Sequence, residues 1–273
     1  MSAIKGLIKH VLGYACAVVR TQRLVPRIPE EADLLDCINK PLMSWMNYHQ
    51  QNVLGKRNHF LGVRALKNPM DAWVYLEIIQ ETKPDIILEI GQKAGGSTLY
   101  MASFLDALGH GEIIALDLDR SQYEAKHKRI TEVTGDCASP EISDKVHKLC
   151  EGKSVMIIHD ADHSRRAVAR DLALYEDLVR KGHYIIVEDT HEGLPGFCED
   201  PDNPYWGYCH KNEDNARWGA YDFLDRNGRF AIDKSREKWV LTSCYDGYLK
   251  CVRDKEDGEA HSERVTEPEG DAS

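Results

Sequence analysis

Short apolar runs that alternate with helix-like segments limit the possible folds of this chain more than any other feature. The clearest runs are DIILEI, EIIALD, VMIIHD and YIIVED, and each contains or ends in an acidic residue. Such runs, bounded by turn-forming residues, are typical of buried parallel strands, and the segments between them have helical periodicity. The alternation therefore predicts an α/β fold with a doubly wound, mostly parallel sheet built from right-handed βαβ units and covered by helices on both faces.

Local signals predict the individual elements. Asn68 followed by Pro69 is typical of a helix start, and Gly109 and Gly182 are typical of helix ends. The segment ISDKVHKLCEG fits a helix and a strand equally well. Three further predictions are a polar helix over RSQYEAKHKRITEVTG, a helix over NEDNARWGAYDFLDRNG, and a closing hairpin of WVLTSC with GYLKCV.

Composition divides the 273 residues into three parts. Residues 1–60 are predicted to form a helical arm, residues 61–252 the α/β domain, and residues 253–273 an acidic, disordered tail. Residues 1–28 contain no acid and five Lys or Arg residues, at positions 5, 9, 20, 23 and 27. This basic start is expected to pack on the domain or on a second subunit; peripheral membrane contact and a targeting segment remain alternatives.

Charge and cysteine usage exclude several classes of protein. The net charge of −10 argues against nucleic-acid binding, which usually requires a basic face. The eight cysteines are scattered and no CxxC pair occurs, so we expect reduced thiols in a cytoplasmic protein, although Cys198 and Cys209 flank one loop and could pair or bind metal. No segment has the roughly 20 apolar residues that span a bilayer.

Candidate ligand-binding residues follow the predicted strands directly. In an open α/β sheet, ligands bind at the carboxyl ends of the strands. The glycine-rich turn EIGQKAGGST allows close approach of a ligand to the backbone, but it matches neither the dinucleotide nor the P-loop fingerprint and could be a tight turn only. Asp117, after the second strand, suits ribose hydroxyls or a helix N-cap.

Acidic residues gather after the third and fourth of these runs. Asp160, Glu188 and Asp189 would repel one another unless a cation or a proton compensated them, and three oxygen ligands suit Mg²⁺. Asp162 or His163 could then act as general base, and imidazole has the better pKa near neutral pH. The structural alternative is helix capping in the sequence DADHS. No HxD motif is found there, which argues against an iron oxygenase.

The long loop at residues 191–212 is rich in proline, glycine and aromatic residues. It could be a lid or acceptor site, or a structural Ω-loop.

Seven motifs taken together resemble the cephalosporin hydroxylase/rhamnosyl O-methyltransferase family, over roughly residues 60–251. They are LGVRALKNPMDAWVYLEII, PDIILEIGQKAGGST, IIALDLD, GDCASPE, VMIIHDADHS, YIIVEDT and GYLK. The resemblance implies a seven-stranded, Rossmann-like methyltransferase fold with an N-terminal helical extension. It also implies an S-adenosylmethionine-dependent, Mg²⁺-assisted O-methyltransferase that acts on a sugar hydroxyl of a glycan, glycolipid or natural product and forms a homo-oligomer.

The resemblance also implies roles for particular residues. The metal ligands would be Asp160, Glu188 and Asp189, and the base Asp162 or His163. Cofactor contacts would come from Glu89, Gly91, Ser97, Asp117, Gly135, Asp136, Ser139 and Asp160. The alternatives are a Mg²⁺-dependent enzyme for phenols or catechols and a non-catalytic binding scaffold; an NAD-dependent oxidoreductase is disfavoured because its fingerprint is missing.

Overall fold

The computed structural model describes residues 42–194 and 214–255, and seven of the described strands form one sheet. The strands are β1 His59–Phe60, β2 Val63–Arg64, β3 Ile86–Ile90, β4 Glu112–Asp117, β5 Ile130–Thr134, β6 Val155–His159, β7 Tyr184–Val187, β8 Phe230–Ile232 and β9 Tyr248–Cys251. The sheet order is β5-β4-β3-β6-β7-β9-β8. β9 is antiparallel to both neighbours, whereas β3 to β7 are parallel. β1 and β2 form a separate antiparallel pair.

Helices connect the strands. They are α1 Leu42–Tyr48, which continues as a π-helix over His49–Leu54, α2 Pro69–Thr82, α3 Gly96–Leu108, α4 Pro140–Cys150, α5 Arg165–Tyr175 and α6 Ala216–Arg226. Short 3₁₀ turns follow at Glu176–Leu178, Thr190–Gly193 and Lys234–Glu237. The predicted start of α2 is confirmed, because the Asn68 side chain accepts a hydrogen bond from the Met70 amide at 3.1 Å.

The sheet separates two apolar layers, as the doubly wound prediction requires. Alternate residues of a strand point to opposite faces. Ile87 of β3 belongs to a buried cluster with α2 and α3, whereas Leu88 belongs to a cluster with α4, α5 and α6. All five residues of β3 and all five residues of the neighbouring β6 are buried, so these two strands lie in the middle of the domain.

Two predictions of elements need correction, and one segment that the sequence left open is resolved. No helix forms over residues 120–135: turns lead into β5, whose exposed Thr131, Glu132 and Thr134 resemble a polar helix because β5 is the sheet edge. The ambiguous segment is helix α4, capped by Ser139. The helix predicted to end at Gly182 already ends at Tyr175, with one 3₁₀ turn after it.

The predicted closing hairpin is also wrong. β9 pairs with β7 and β8, and WVLTSC is a loop. The buried carboxylate of Asp71 in α2 explains the loop: it accepts hydrogen bonds from the Ser243 amide at 2.7 Å, from the Tyr248 hydroxyl at 2.8 Å, and from the Thr242 hydroxyl. A backbone donor held by a side chain in this way is lost to strand pairing.

Several predictions concern residues outside the described ranges. These are most of the N-terminal arm, the loop at 195–213 with both of its cysteines, and the tail after residue 255. Where the arm is described it packs on the domain, because Met46 contacts Leu194 and Leu241. The described cysteines are free thiols. None of the helices in the described ranges combines the length and apolarity of a membrane span.

Candidate active site

The carboxyl ends of β3, β6 and β7 bring the predicted acidic residues to one edge of the sheet. Ile90 lies beside His159, and His159 beside Val187, so the residues that follow each strand become neighbours. The backbone continues this register: the Asp160 amide donates to the Ile90 carbonyl at 2.8 Å, and the Glu188 amide donates to the His159 carbonyl at 3.0 Å. The strand ends therefore hold Asp160 and Glu188 side by side.

A buried lysine lies between these two carboxylates. Lys67 Nζ donates to Asp160 Oδ2 at 2.8 Å and to Glu188 Oε1 at 2.6 Å, and the lysine side chain is 5% exposed. The hydroxyl of Tyr75, from α2, donates to the same Glu188 oxygen. Sequence reasoning missed both Lys67 and Tyr75. The carboxylate cluster itself indicated that a compensating positive charge is needed, but nothing in the sequence identified Lys67 as its source.

A second group of side chains beside the lysine has the spacing of a metal site. One ligand atom each from Asp160, His163 and Asp189 lie within 4.8 Å of one another. His163 Nε2 is 3.8 Å from Asp160 Oδ1 and 3.4 Å from Asp189 Oδ2. Two carboxylates and an imidazole fit a divalent cation such as Mg²⁺ or Mn²⁺. Glu188 lies outside this group, and its assignment as a ligand stays a prediction.

Asp162 and His163 differ sharply in their surroundings. Asp162 is exposed, and its Oδ1 accepts the Ser164 amide at 2.9 Å, just before the Ser164 hydroxyl caps α5. Ser164 is therefore the residue of this segment that caps α5, and Asp162 holds the turn before the cap. His163 instead lies in the carboxylate group, and its Nδ1 is buried without a hydrogen-bond partner among the described residues.

The charges of the site raise the pKa of several groups. Burial, followed by the charges of Glu188 and Asp189, raises the pKa of Asp160 to about 6, although Lys67 opposes the shift. Burial raises the pKa of Glu192 to about 7, with a further contribution from Asp189. Burial alone would lower the pKa of His163, but Asp189 and Asp160 outweigh it and the pKa is raised. Neighbouring carboxylates contribute to the rise of all three pKa values, and a cation would relieve this excess of negative charge.

The glycine-rich turn packs directly against the acidic strand ends. Gly91 has φ +87°, and a Cβ atom added there would lie 2.0 Å from the Asp160 carbonyl oxygen. Asp117 Oδ2 accepts the amides of Gln92 at 2.7 Å and Lys93 at 3.0 Å, which fixes the turn. No helix begins at Asp117, so the N-cap alternative for this residue is wrong.

Glu89 is the most buried acid at this edge. It is fully buried and accepts hydrogen bonds from Ser97 Oγ at 2.6 Å and from the Thr98 hydroxyl. Burial raises the pKa of Glu89 to about 7, against the opposing charge of Lys67. Among the described residues, only hydroxyl donors contact its carboxylate, so a bound cation would stabilise its charged form.

The loop from Gly135 to Ser139 lies beside Asp117. The Gly135 amide donates to the Asp117 carbonyl at 3.0 Å. Within the loop, Asp136 Oδ1 accepts the Ala138 amide at 2.9 Å, and the Ser139 hydroxyl caps α4. The structure thus brings the residues predicted to contact the cofactor to the carboxyl ends of the strands. Some of their side chains already accept hydrogen bonds from backbone amides.

The antiparallel strand β9 lies between β7 and β8, next to the five parallel strands. This strand order, with the glycine-rich turn and the acidic strand ends, is that of a Rossmann-like methyltransferase fold. The family model described as Rhamnosyl O-methyltransferase/CmcI matches residues 52–252. The chain belongs to this family.

Individual relatives are similar at moderate identity. A rhamnosyl O-methyltransferase of Mycobacterium leprae (strain TN) is 27% identical over 202 residues, which cover 68% of this chain and 88% of the relative. One from Mycobacterium tuberculosis (strain ATCC 25618 / H37Rv) is 27% identical over 165 residues, covering 56% and 67%. A solved CmcI structure described as Mg-SAM has a TM-score of 0.54 at 21% identity and covers 84% of this chain and 88% of its own, which supports the fold.

Proposed function

We propose that the protein is an S-adenosylmethionine-dependent, Mg²⁺-assisted O-methyltransferase whose acceptor is a sugar hydroxyl in a glycan, glycolipid or natural product. The observation that carries this proposal is the close group of Asp160, His163 and Asp189 beside the turn at Gly91. Its two carboxylates provide oxygen ligands for a divalent cation next to the glycine-rich turn, and its imidazole is left to accept a proton. The names of the mycobacterial relatives support a sugar acceptor.

Asp160 and Asp189 are the residues that would hold Mg²⁺, since they belong both to the predicted ligand set and to the observed group. Glu188 completes the predicted ligand set through its Oε2 atom. Lys67 and Tyr75 both contact the other oxygen, Oε1, and Oε2 has no hydrogen bond within the described residues. The chemistry that a bound Mg²⁺ supplies is a lowered pKa of the acceptor hydroxyl.

His163 is the residue we assign as general base. Its imidazole is partly exposed, at 30%, and lies against the acidic group, which keeps it near the reacting hydroxyl. Asp162 is the weaker candidate because its Oδ1 already accepts the Ser164 amide at 2.9 Å. His163 would accept the proton of the acceptor hydroxyl, whose oxygen forms the new bond to carbon. S-adenosylmethionine, when bound, would supply the methyl group through cleavage of its S–C bond and would leave as S-adenosylhomocysteine.

The cofactor site proposed here runs along the ends of β3 and β4. Glu89 and Ser97 face the cationic end of S-adenosylmethionine, because a buried carboxylate with only hydroxyl donors is stabilised by a positive ligand. Gly91 lets the cofactor come close to the backbone of the turn. Asp117 has oxygen lone pairs left after it accepts the two turn amides, and these accept hydrogen bonds from the ribose hydroxyls. Residues 135–139 and Asp160 complete this site.

Calorimetric titration with S-adenosylmethionine and S-adenosylhomocysteine, in Mg²⁺ and in EDTA, tests the proposal. Micromolar binding of both, followed by methyl transfer to a panel of deoxysugar and glycolipid hydroxyls, is the expected result. Catechols and simple phenols belong in the same panel. Binding without transfer to any sugar but with transfer to a catechol would reassign the acceptor, and no cofactor binding at all would refute the proposed activity.

The arrangement of the whole chain is part of the proposal. Residues 1–60 serve as a helical arm at a subunit interface, residues 61–252 form the catalytic domain, and residues 253–273 are an acidic tail. We place the protein in the cytoplasm, with contact of residues 1–28 with an anionic membrane as a second role of the arm. Light scattering of the full chain and of a variant without residues 1–41 tests the first role, and sedimentation with anionic vesicles tests the second.

A further inference from the structure

Lys67 is held in the active site by contacts on both sides of its backbone. Asn58 Nδ2 donates to the carbonyls of Ala65 and Lys67, each at 2.9 Å, and the next residue, Asn68, caps α2. These contacts fix the segment before α2, which is far from the strand ends in sequence, so that the lysine lies at the strand ends. Its side chain has little freedom, since it is 5% exposed.

The lysine contacts one oxygen of each neighbouring carboxylate and makes no hydrogen bond to the second oxygen. It binds Oδ2 of Asp160, whereas Oδ1 of the same residue faces His163 at 3.8 Å. It binds Oε1 of Glu188, and Oε2 has no hydrogen bond within the described residues. Lys67 and a divalent cation can therefore be bound to the same carboxylates at the same time.

The charges of the site suggest why both cations are needed. In their ionised forms, Asp160, Glu188 and Asp189 carry three negative charges, and the Lys67 ammonium neutralises one of them. The negative charge that remains on these groups is equal in magnitude and opposite in sign to the charge of one divalent cation. Without Lys67, the buried Glu188 carboxylate and the partly exposed Asp160 carboxylate would face each other across the position of the ammonium. Removal of one partner of a buried ion pair is strongly destabilising.

We infer that Lys67 is a positioning residue, a built-in cation that fixes Asp160 and Glu188 when no metal is bound and leaves the three predicted metal ligands with an excess negative charge that one divalent cation would neutralise. The inference deepens the proposed function and rests on its metal site. It does not depend on the cofactor or the acceptor. Its consequence is that a chain without this ammonium depends on a divalent cation for the stability of its folded state.

The test compares melting temperatures of the full chain in EDTA and in MgCl₂, at matched ionic strength and without cofactor. For Lys67→Met we expect a melting temperature roughly 5 to 15 °C below wild type in EDTA and a clearly larger rise on addition of Mg²⁺. Lys67→Arg, which keeps the positive charge, should recover much of the loss. Lys126→Met is the matched control, because Lys126 contacts Glu132 at 2.7 Å but is 74% exposed.

A double variant separates charge from packing. Lys67→Met with Glu188→Gln removes the ammonium and one carboxylate together, and should melt above Lys67→Met in EDTA. The inference is overturned if Lys67→Met has the wild-type melting temperature in EDTA, or if its response to Mg²⁺ equals that of wild type. If Lys67→Met does not fold, a folded double variant supports the inference and an unfolded one overturns it. The expected pattern in a chain that binds no S-adenosylmethionine would uphold the inference and refute the proposed activity.

Discussion

His163 and Asp162 are adjacent in sequence but play separate parts in the structure. The imidazole of His163 lies 3.4 Å from Asp189, whereas the Asp162 carboxylate is exposed and holds the turn before α5. Sequence analysis could not choose between them, because both follow the end of β6 by three or four positions. The difference arises from the direction of each side chain at the start of α5.

This difference gives a prediction for the base. His163→Ala should lower the rate of methyl transfer by roughly 10² to 10⁴, the usual contribution of a general base. Asp162→Asn should stay within a few-fold of wild type, because an asparagine oxygen can still accept the Ser164 amide. The measurement is the single-turnover rate with saturating acceptor, and calorimetric cofactor affinity serves as the folding control. A larger loss in Asp162→Asn than in His163→Ala would contradict the assignment.

Residues brought from distant parts of the chain explain what sequence analysis missed in the site. Asp160, His163 and Asp189 follow apolar runs, so a pattern of strand ends predicts them. Lys67 is 93 residues from Asp160 and 121 from Glu188. Its local sequence, a lysine before a helix cap, contains no sign of burial. The need for a positive charge was visible, but its source was not.

Among the elements, the turn between β3 and α3 depends most strictly on one residue. Gly91 needs a left-handed φ of +87° and also lies against the backbone of Asp160. Gly109 at the end of α3 has φ +68° but has no atom within 4 Å of an added Cβ. The two glycines therefore separate the effect of backbone strain from that of close contact.

We expect Gly109→Ala to lower the free energy of unfolding by about 1 kcal/mol, the usual penalty of a left-handed residue with a side chain. Gly91→Ala should lower it by more, because the Asp160 backbone must move, and should also weaken cofactor binding. Denaturant unfolding and calorimetry measure the two effects. Equal destabilisation by the two substitutions would show that the contact with Asp160 is easily relieved.

A contact between a histidine of α4 and an aspartate just after α5 should make the stability of the protein depend on pH. His147 Nε2 contacts Asp177 Oδ1 at 3.1 Å, and its ring stacks on Tyr175. The hydrogen bond to Asp177 raises the pKa of His147, and burial opposes it. Because the pKa is raised in the folded state, the contribution to stability is complete below the unfolded pKa and is lost as the pH rises through the folded value.

His147→Gln should therefore cost up to about 1 kcal/mol of unfolding free energy near pH 5.5, and much less near pH 8.5. Denaturant unfolding of wild type and variant at both pH values measures the difference. His110→Gln is a matched control, because His110 contacts Asp85 at 3.3 Å but is 45% exposed, where solvent screens the pair. A larger loss at the higher pH would mean that the charged pair contributes nothing.

Sequence patterns predicted the elements of the domain unevenly. Strands β3, β4, β6 and β7 are buried apolar runs with clear ends, and their prediction is confirmed. β5 was missed because only Val133 of its five residues is buried, so the pattern of a strand was lost at the sheet edge. β9 was correctly placed in sequence but given the wrong partner, since the pairing depends on Asp71, far away in α2.

For the whole molecule, cofactor binding should appear as a gain in stability. S-adenosylmethionine at 100 times its dissociation constant should add about 2.7 kcal/mol and raise the melting temperature by roughly 5 to 10 °C. NAD⁺ at the same concentration should leave it unchanged, because the dinucleotide fingerprint is missing from the glycine turn. Differential scanning fluorimetry measures both, and a rise with NAD⁺ alone would direct attention to redox chemistry.

The position of β9 has a consequence for biosynthesis. This strand is the last of the described chain, yet it lies between β7 and β8 and carries Tyr248, which anchors Asp71. On the ribosome, β7 must therefore wait with one edge unpaired until residue 251 has left the exit tunnel, and such an edge is open to wrong partners. A nascent chain that stops short of β9 would keep this edge exposed, which makes it a natural substrate for chaperones and proteases.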